Sequence, residues 1–208
     1  MTSNIISNVD QLRSIYKQPT DGAVKKVLKK LDKHCRAFIN LCPFGVLSTC
    51  GSNGYLDASP KGGEPGFIHV LDEETILVPD WPGNNRLDSL ENILANPHVG
   101  LLLLVPGIEE TLRINGRVEI STNRDMLECT AIGRKKPISV LVIKVEEAYL
   151  HCARAVWRAE LWNAEKHIKR GEFPSMGQML ADQVQGYDAE STDKLIAENR
   201  YELYSSRD

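Results

Sequence analysis

The stretch from Leu77 to Leu90 reads LVPDWPGNNRLDSL: an apolar strand, a Pro/Gly turn, then a helix start that carries Asn85, Arg86 and Asp88. A helix N-terminus offers unpaired backbone N–H groups, and an Arg beside it adds a planar fork of donors suited to a phosphate. The competing reading is that Asn84 or Asn85 caps the helix and Arg86 stands in solvent. Upstream, Asp57 to Gly66 (DASPKGGEPG) ends a strand with the Ser59 hydroxyl and the Lys61 amine, then opens into a glycine-rich bend where backbone can approach a ligand. Neither G-x-x-x-x-G-K-[ST] nor G-x-G-x-x-G is present, which excludes a Walker or Rossmann nucleotide site. In Glu109 to Glu119 (EETLRINGRVE), Thr111, Arg113 and Asn115 alternate with Leu112 and Ile114, so the polar set shares one strand face. If that face lines a barrel mouth, Arg113 meets a ligand; if it faces water, Arg113 only solubilises. His151 and Cys152, read on one helix, point in different directions and have no Asp or Asn to orient them, which favours packing over catalysis. His69 and His98 come without H-x-x-x-H or carboxylate spacing, so no metal site is expected.

These residues must be positioned by short elements. After Pro43 the sequence reads as β-rich runs at Phe44–Thr49, Tyr55–Ser59, Phe67–Leu71, Thr75–Pro79, Val99–Val105, Thr111–Ile120 and Ile138–Val145, which predicts a barrel or sandwich. Gly51-Ser52-Asn53-Gly54 predicts a hairpin with a four- or five-residue loop. Helices are expected over Arg86–Ala95, ended by Asn96-Pro97, and over Asn123–Ile132, ended by Gly133. Two or three N-terminal helices follow from the spacing of Leu12, Ile15 and Tyr16, then Val24, Val27, Leu28 and Leu31, with Asp21 as an N-cap. Arg154–Lys169, Gln178–Val184 and Ser191–Tyr201 read as C-terminal helices. The expected organisation is one domain over 1–208: N-terminal helices over 1–42, a β-barrel core over 43–150 and a helical segment over 151–208.

Composition bounds the function. In 208 residues, 42% are apolar and 25% charged, and 25 Lys and Arg stand against 28 Asp and Glu for a formal charge of -3. A balance so close to neutral argues against nucleic acid or anionic lipid as the partner. The longest apolar runs, Leu101–Val105 and Val140–Ile143, are far below the roughly 18 residues of a bilayer-spanning helix, and the start MTSNIISNVD lacks a secretory core. The five cysteines include no C-x-x-C pair and read as free thiols of a cytoplasmic protein.

Taken together, three motifs resemble the pyridoxamine 5'-phosphate oxidase-like family of FMN-binding split β-barrels, nearest to its branch described as probable FMN-dependent enzymes. They are Ser59-Pro60-Lys61-Gly62 with Pro65-Gly66-Phe67; Val78-Pro79-Asp80 with Gly83-Asn84-Asn85-Arg86-Leu87-Asp88-Ser89-Leu90-Glu91-Asn92-Ile93-Leu94; and Thr111-Leu112-Arg113-Ile114-Asn115-Gly116. The resemblance spans about Phe44 to Trp162. It implies a mainly β fold with flanking helices (α+β), a split β-barrel, and a homodimer with FMN in clefts at the subunit interface. Within it, Asp57, Ser59 and Lys61 fall on the first cofactor strand, Val78, Pro79 and Asp80 on the second, Asn85 and Arg86 on the phosphate turn, and Thr111 and Arg113 on the ring-contacting strand. Arg158 and Trp162, with Arg154, look like contacts from the second chain. The implied activity is hydride transfer between a nicotinamide donor, NAD(P)H, and a small acceptor, with the flavin doing the chemistry and no side-chain acid or base assigned. The alternatives are a non-catalytic flavin-binding or sensing module, and a relative that holds haem or a deazaflavin. The vitamin B6 oxidase itself has paired basic residues where this chain has Asn85-Arg86, and its C-terminal Arg-x-His segment has no counterpart in Gly171–Asp208, which argues against pyridoxamine phosphate as the substrate.

Overall fold

The computed structural model describes residues 4–205, and within it the side chains of residues 4–199. The termini 1–3 and 206–208, which the expected domain limits include, lie outside the described residues. Seven strands form one antiparallel sheet: β1 (Phe44–Cys50), β2 (Leu56–Gly62), β3 (His69–Val70), β4 (Thr75–Asp80), β5 (His98–Leu104), β6 (Thr111–Ser121) and β7 (Ser139–His151). Their order across the sheet is β2-β1-β5-β6-β7-β4-β3. The sheet curls into a split β-barrel whose edge strands, β2 and β3, do not pair with each other. Every expected strand is present; β7 runs six residues beyond its expected end because it keeps pairing with β6 as far as Thr111↔His151.

Alternation decides which side chains enter the core. On β1, Gly45, Leu47 and Thr49 are buried and Phe44 and Ser48 exposed; on β6, Leu112, Ile114 and Val118 are buried and Arg113 is exposed. The inward set packs with Phe38, Ile39 and Cys42, which come from or directly follow helix α3 (Lys33–Leu41). Asp32 starts α3 by accepting from the Cys35 backbone N–H at 2.8 Å. Cys35 and Cys42 are buried, and burial pushes the Cys35 thiol up to about 11. All five cysteines are free, and Cys129 and Cys152 are exposed.

The remaining helices are α1 (Val9–Ile15), α2 (Asp21–Lys25), α4 (Asp88–Ala95), α5 (Arg124–Cys129), α6 (Arg154–Ala159), α7 (Met176–Gln183) and α8 (Ala189–Ser205). Several differ from the sequence expectation. Thr20, not Asp21, caps α2. The helical spacing of Val24 to Leu31 is overridden after Lys25, where Leu28 instead exchanges two backbone hydrogen bonds of 2.9 Å with Ala148. That stretch of β7 lies beyond its pairing with β4, so its free edge needs a partner. The helix expected over Arg154–Lys169 stops at Ala159, where Glu160 takes a left-handed φ of 46° and two short 3-10 turns follow. Likewise α5 ends at Cys129, before the expected Ile132. Among the described residues no helix is long and apolar enough to cross a membrane.

The hairpin β1–β2 has the expected loop, with Gly54 at φ 81° and Gly51 N–H bonded to the Tyr55 carbonyl at 2.9 Å. A register shift at Asn115/Gly116 marks a bulge where β6 passes β7, and a Cβ on Gly116 would strike the Lys144 carbonyl oxygen and its carbon. Backbone cannot yield as a side-chain tip can. Gly116→Ala is therefore expected to cost about 1–3 kcal/mol of stability in urea unfolding; an unchanged midpoint would show that the bulge relaxes freely.

Candidate functional site

The three motifs do not meet in one cavity: the structure distributes them over two clefts. The first, of about 470 Å³, is polar. It lies where β2, at one edge of the sheet, approaches the end of β4, which the sheet order separates from it by four strands. Asp57, Ser59 and Lys61 reach it from β2, Asp80 from β4, and Asn85 and Arg86 from the loop that leads into α4. The sequence reading did not single out Trp81, Ser89 and Ile138 as site residues, yet all three line this cleft.

Charge pairing governs the polar cleft. Lys61 Nζ stands 3.3 Å from Asp80 Oδ1, and the two side chains are only 16% and 18% exposed. Arg86 Nε donates to Asp88 Oδ2 at 2.8 Å, but this pair stands in solvent at 72% and 48% exposure. The Asp88 carboxylate, with a smaller contribution from Asp57, holds the Arg86 guanidinium more firmly protonated than usual. Asp57 in turn accepts a short hydrogen bond from the Ser89 hydroxyl. Two cations thus face three carboxylates.

The helix begins later than expected. Its first residue is Asp88, so Arg86 precedes it instead of opening it, and Leu87 stands at the cap position with no side-chain cap. Neither Asn84 nor Asn85 caps α4; Asn84 Oδ1 accepts from the Arg86 backbone N–H at 3.1 Å in a local turn. Asn85 and Leu87 both have left-handed φ, 58° and 61°. A left-handed Leu is costly, about 1–2 kcal/mol, and such strain concentrates at sites of function. The uncapped first turn, Asp88 to Leu90, borders the cleft, leaving backbone donors and the exposed Arg86 at one end of it. A phosphate fits here: Arg86 has only a solvent-screened partner to leave, whereas Lys61 is committed to Asp80.

Two of the three residues expected on the second cofactor strand are absent from this lining. Val78 is fully buried in the core, and Pro79 borders a small separate cavity of about 160 Å³ beside Phe67 and Thr130. The neighbours of Asp80 on β4 therefore offer backbone at most. They pair with Leu141 and Val140 of β7.

The second cleft, of about 620 Å³, lies on the outer face of the sheet under α6 and is mostly apolar. Thr111, Arg113 and Asn115 line it, with Arg113 exposed, so that strand face borders an open cleft on the outside of the sheet and not a barrel mouth. Ser48, Leu102 and Leu104 come from β1 and β5, and Ala155, Val156 and Ala159 from α6. His151 and Cys152 also line it, a correction to their expected place on one helix: His151 ends β7 and Cys152 follows it. The signal that could have found Ser48 and Leu102 is the strand register, since Leu102 pairs with both Val46 and Arg113. Arg158 and Arg154 are exposed on α6 and line neither cleft. Trp162 is half-buried, and its indole N–H donates to the Ile108 carbonyl at 2.8 Å. Among the described residues no group of three or more His, Cys, Asp or Glu is placed to hold a metal ion.

The model of the pyridoxamine 5'-phosphate oxidase family matches residues 31–152, 122 of the 208 residues. Among solved structures, HupZ of Group A Streptococcus is 20% identical, covers 58% of this chain and 93% of its own, and superposes with a TM-score of 0.48. A protein related to general stress protein 26, of the pyridoxinephosphate oxidase family, from Clostridium acetobutylicum is 15% identical over 57% of this chain and 85% of its own, with a TM-score of 0.44. An FMN-binding protein from Syntrophomonas wolfei is 11% identical over 56% of this chain and 88% of its own, with a TM-score of 0.43. No curated protein matches the chain. The family model, which spans β1 to β7, carries the assignment; these structural likenesses add nothing to it.

Two substitutions separate the two ion pairs of the polar cleft. Asp88→Asn frees Arg86 and removes one opposing charge, so affinity for a phosphate monoester such as FMN should rise about 1.5- to 5-fold, the ~0.2–1 kcal/mol of an exposed pair. Fluorescence titration reads it, and weakened binding would show that Asp88 orients Arg86 productively. Lys61→Met leaves the shielded Asp80 carboxylate without its partner and should lower unfolding stability by about 1–3 kcal/mol; an unaffected melting curve would show that the pair does not fasten the strands.

Proposed function

The chain belongs to the pyridoxamine 5'-phosphate oxidase family, and from that premise we propose that it is an FMN-dependent oxidoreductase acting on a small molecule, built as a homodimer. The observation that carries this reading is the polar cleft, where the exposed Arg86 and the uncapped start of α4 converge on one end of a cavity. Arg86 and the first turn of α4 would hold the phosphate, with Ser59 as a hydroxyl partner. Lys61 would act chiefly by holding Asp80 and the backbone beside it. When bound, FMN supplies hydride chemistry that no protein side chain offers.

The separation of the motifs supports the dimer. Thr111 cannot share a cavity with Arg86 in one chain, because it lies in the other cleft. A second copy that sets its apolar cleft against the polar cleft of the first would complete each site from both chains. The outer face of β2, β1 and β5 suits such an interface. The register puts Pro60, Val46 and Leu102 in one row, with Phe44 and Leu104 in the next. Phe44 and Leu102, in these two adjacent rows, are exposed, apolar surface that a partner would cover. Arg154 and Arg158, exposed on α6, would then face the partner. A nicotinamide donor fits the reading, and five free thiols suit a reducing compartment, the cytoplasm.

Arg86→Ala tests the anchor: FMN affinity should fall by about 1.5–3 kcal/mol, the loss of a charged hydrogen bond to phosphate. Light scattering tests the dimer, with Leu102→Arg expected to give a monomer that no longer retains FMN. A colourless protein that takes up no added FMN, or a monomer that binds FMN as well as the wild type does, would refute the proposal.

A further inference from the structure

The two clefts differ in what their charges are doing. In the polar cleft each cation already has a carboxylate partner. Among the described residues that line the apolar cleft, Arg113 is the one Lys or Arg and there is no Asp or Glu; His151 is the other side chain in it that can carry a positive charge. Among the described residues the Arg113 guanidinium makes no hydrogen bond or ion pair. The acid diagonal to it in register is Glu147 on β7, which faces a different, shallow hollow. Glu147 accepts from Asn115 Nδ2 at 3.1 Å and meets Lys29 Nζ at 3.9 Å.

An unpaired guanidinium over walls of Leu102, Leu104 and Leu161 has a specific complement: one negative charge on an apolar body. A carboxylate matches the planar fork with two parallel hydrogen bonds. A phosphate monoester brings nearly two charges, of which Arg113 balances one; Ser48, Thr111, Asn115 and His151, the other polar groups of the lining, add hydrogen bonds but no second Lys or Arg. A volume of about 620 Å³ lies within the range of small-molecule sites.

We infer that the apolar cleft binds a small organic carboxylate with an aliphatic or aromatic body, its carboxylate on Arg113 and its body against Leu102, Leu104 and the wall formed by α6. The inference deepens the flavin reading by naming the class of molecule on which the enzyme acts, and it rests on that reading only for the carboxylate's being a substrate. Thr111 shares the strand face with Arg113, about 7 Å away along the chain. A flavin edge at Thr111 and a carboxylate at Arg113 would therefore lie side by side.

Calorimetric titration of the full chain, without FMN and again with it, tests the site using 4-phenylbutyrate, 4-phenylbutanamide and phenyl phosphate. The carboxylate should bind at least tenfold more tightly than the amide, and phenyl phosphate no more tightly than the carboxylate. Arg113→Gln should remove at least tenfold of the carboxylate affinity, and Arg113→Lys should recover part of it at an unchanged melting temperature. Equal binding of acid and amide, tighter binding of phenyl phosphate, no effect of Arg113→Gln, or no carboxylate binding at all would overturn the inference. Arg86→Ala keeps the two readings apart. It should weaken FMN binding about 10- to 150-fold yet leave carboxylate binding by the FMN-free protein unchanged. A chain that binds the carboxylate through Arg113 but never takes up FMN refutes the flavin reading alone, and one that takes up FMN but ignores carboxylates refutes the present one.

Discussion

The shielded ion pair between Lys61 and Asp80 is the constraint on which the site depends. These residues sit on strands that the sheet order separates by four others, and they meet only because the sheet curls. A charge pair this dry is expensive to form, since both ions lose hydration, and removing either partner leaves the other uncompensated. Its value lies in position more than in net stability. It fixes how far β2 and β4 stand apart, and so sets the width of the polar cleft into which Asp57, Ser59 and Arg86 also project.

That role changes the meaning of Lys61. As a bare sequence feature, an amine after a strand and before a glycine bend reads as a phosphate ligand. In the folded chain its charge is paired with Asp80, and in the proposed FMN site the phosphate would fall to Arg86 and the start of α4. Arg86 suits the duty because its own pairing is weak: an exposed ion pair contributes little, so exchanging Asp88 for a phosphate costs little. One cation holds the cleft open, and the other remains available to a ligand.

Much of the fold was legible in the sequence because its cues are local. Seven strands follow from alternation and turn residues, and the β1–β2 loop from Gly51 and Gly54, without knowledge of tertiary contacts. The failures come where tertiary contacts overrule local pattern. Val24 to Leu31 has helical spacing, yet Leu28 leaves the helix to satisfy the open edge at Ala148. The start of α4 was misplaced because Arg86 and Leu87 are unremarkable helix formers, and nothing local announces a left-handed Leu87. Within the candidate site, the motif residues were legible one by one, but their division between two clefts was not. That division depends on which face of the curled sheet each strand presents, a property of strand order and not of any segment.

The division also bears on symmetry. On the proposed reading, a chain that carries half of a site in each of two separate clefts cannot complete it by any internal motion that keeps the sheet intact, because Arg113 lies on β6 and Arg86 on the loop before α4, and they line different cavities. Two copies related by a two-fold axis meet the requirement: the contact is self-complementary, so one interface completes two equivalent sites at once. Such an arrangement ties cofactor retention to assembly, since a ligand contacted by both chains stabilises the dimer by mass action and is lost on dissociation. In the proposed dimer the apolar rows of β2, β1 and β5 would be interface and cleft wall together. This accounts for a sheet whose outer face is polar at Arg113 and Asn115 but aliphatic a few ångströms away at Val46 and Leu102.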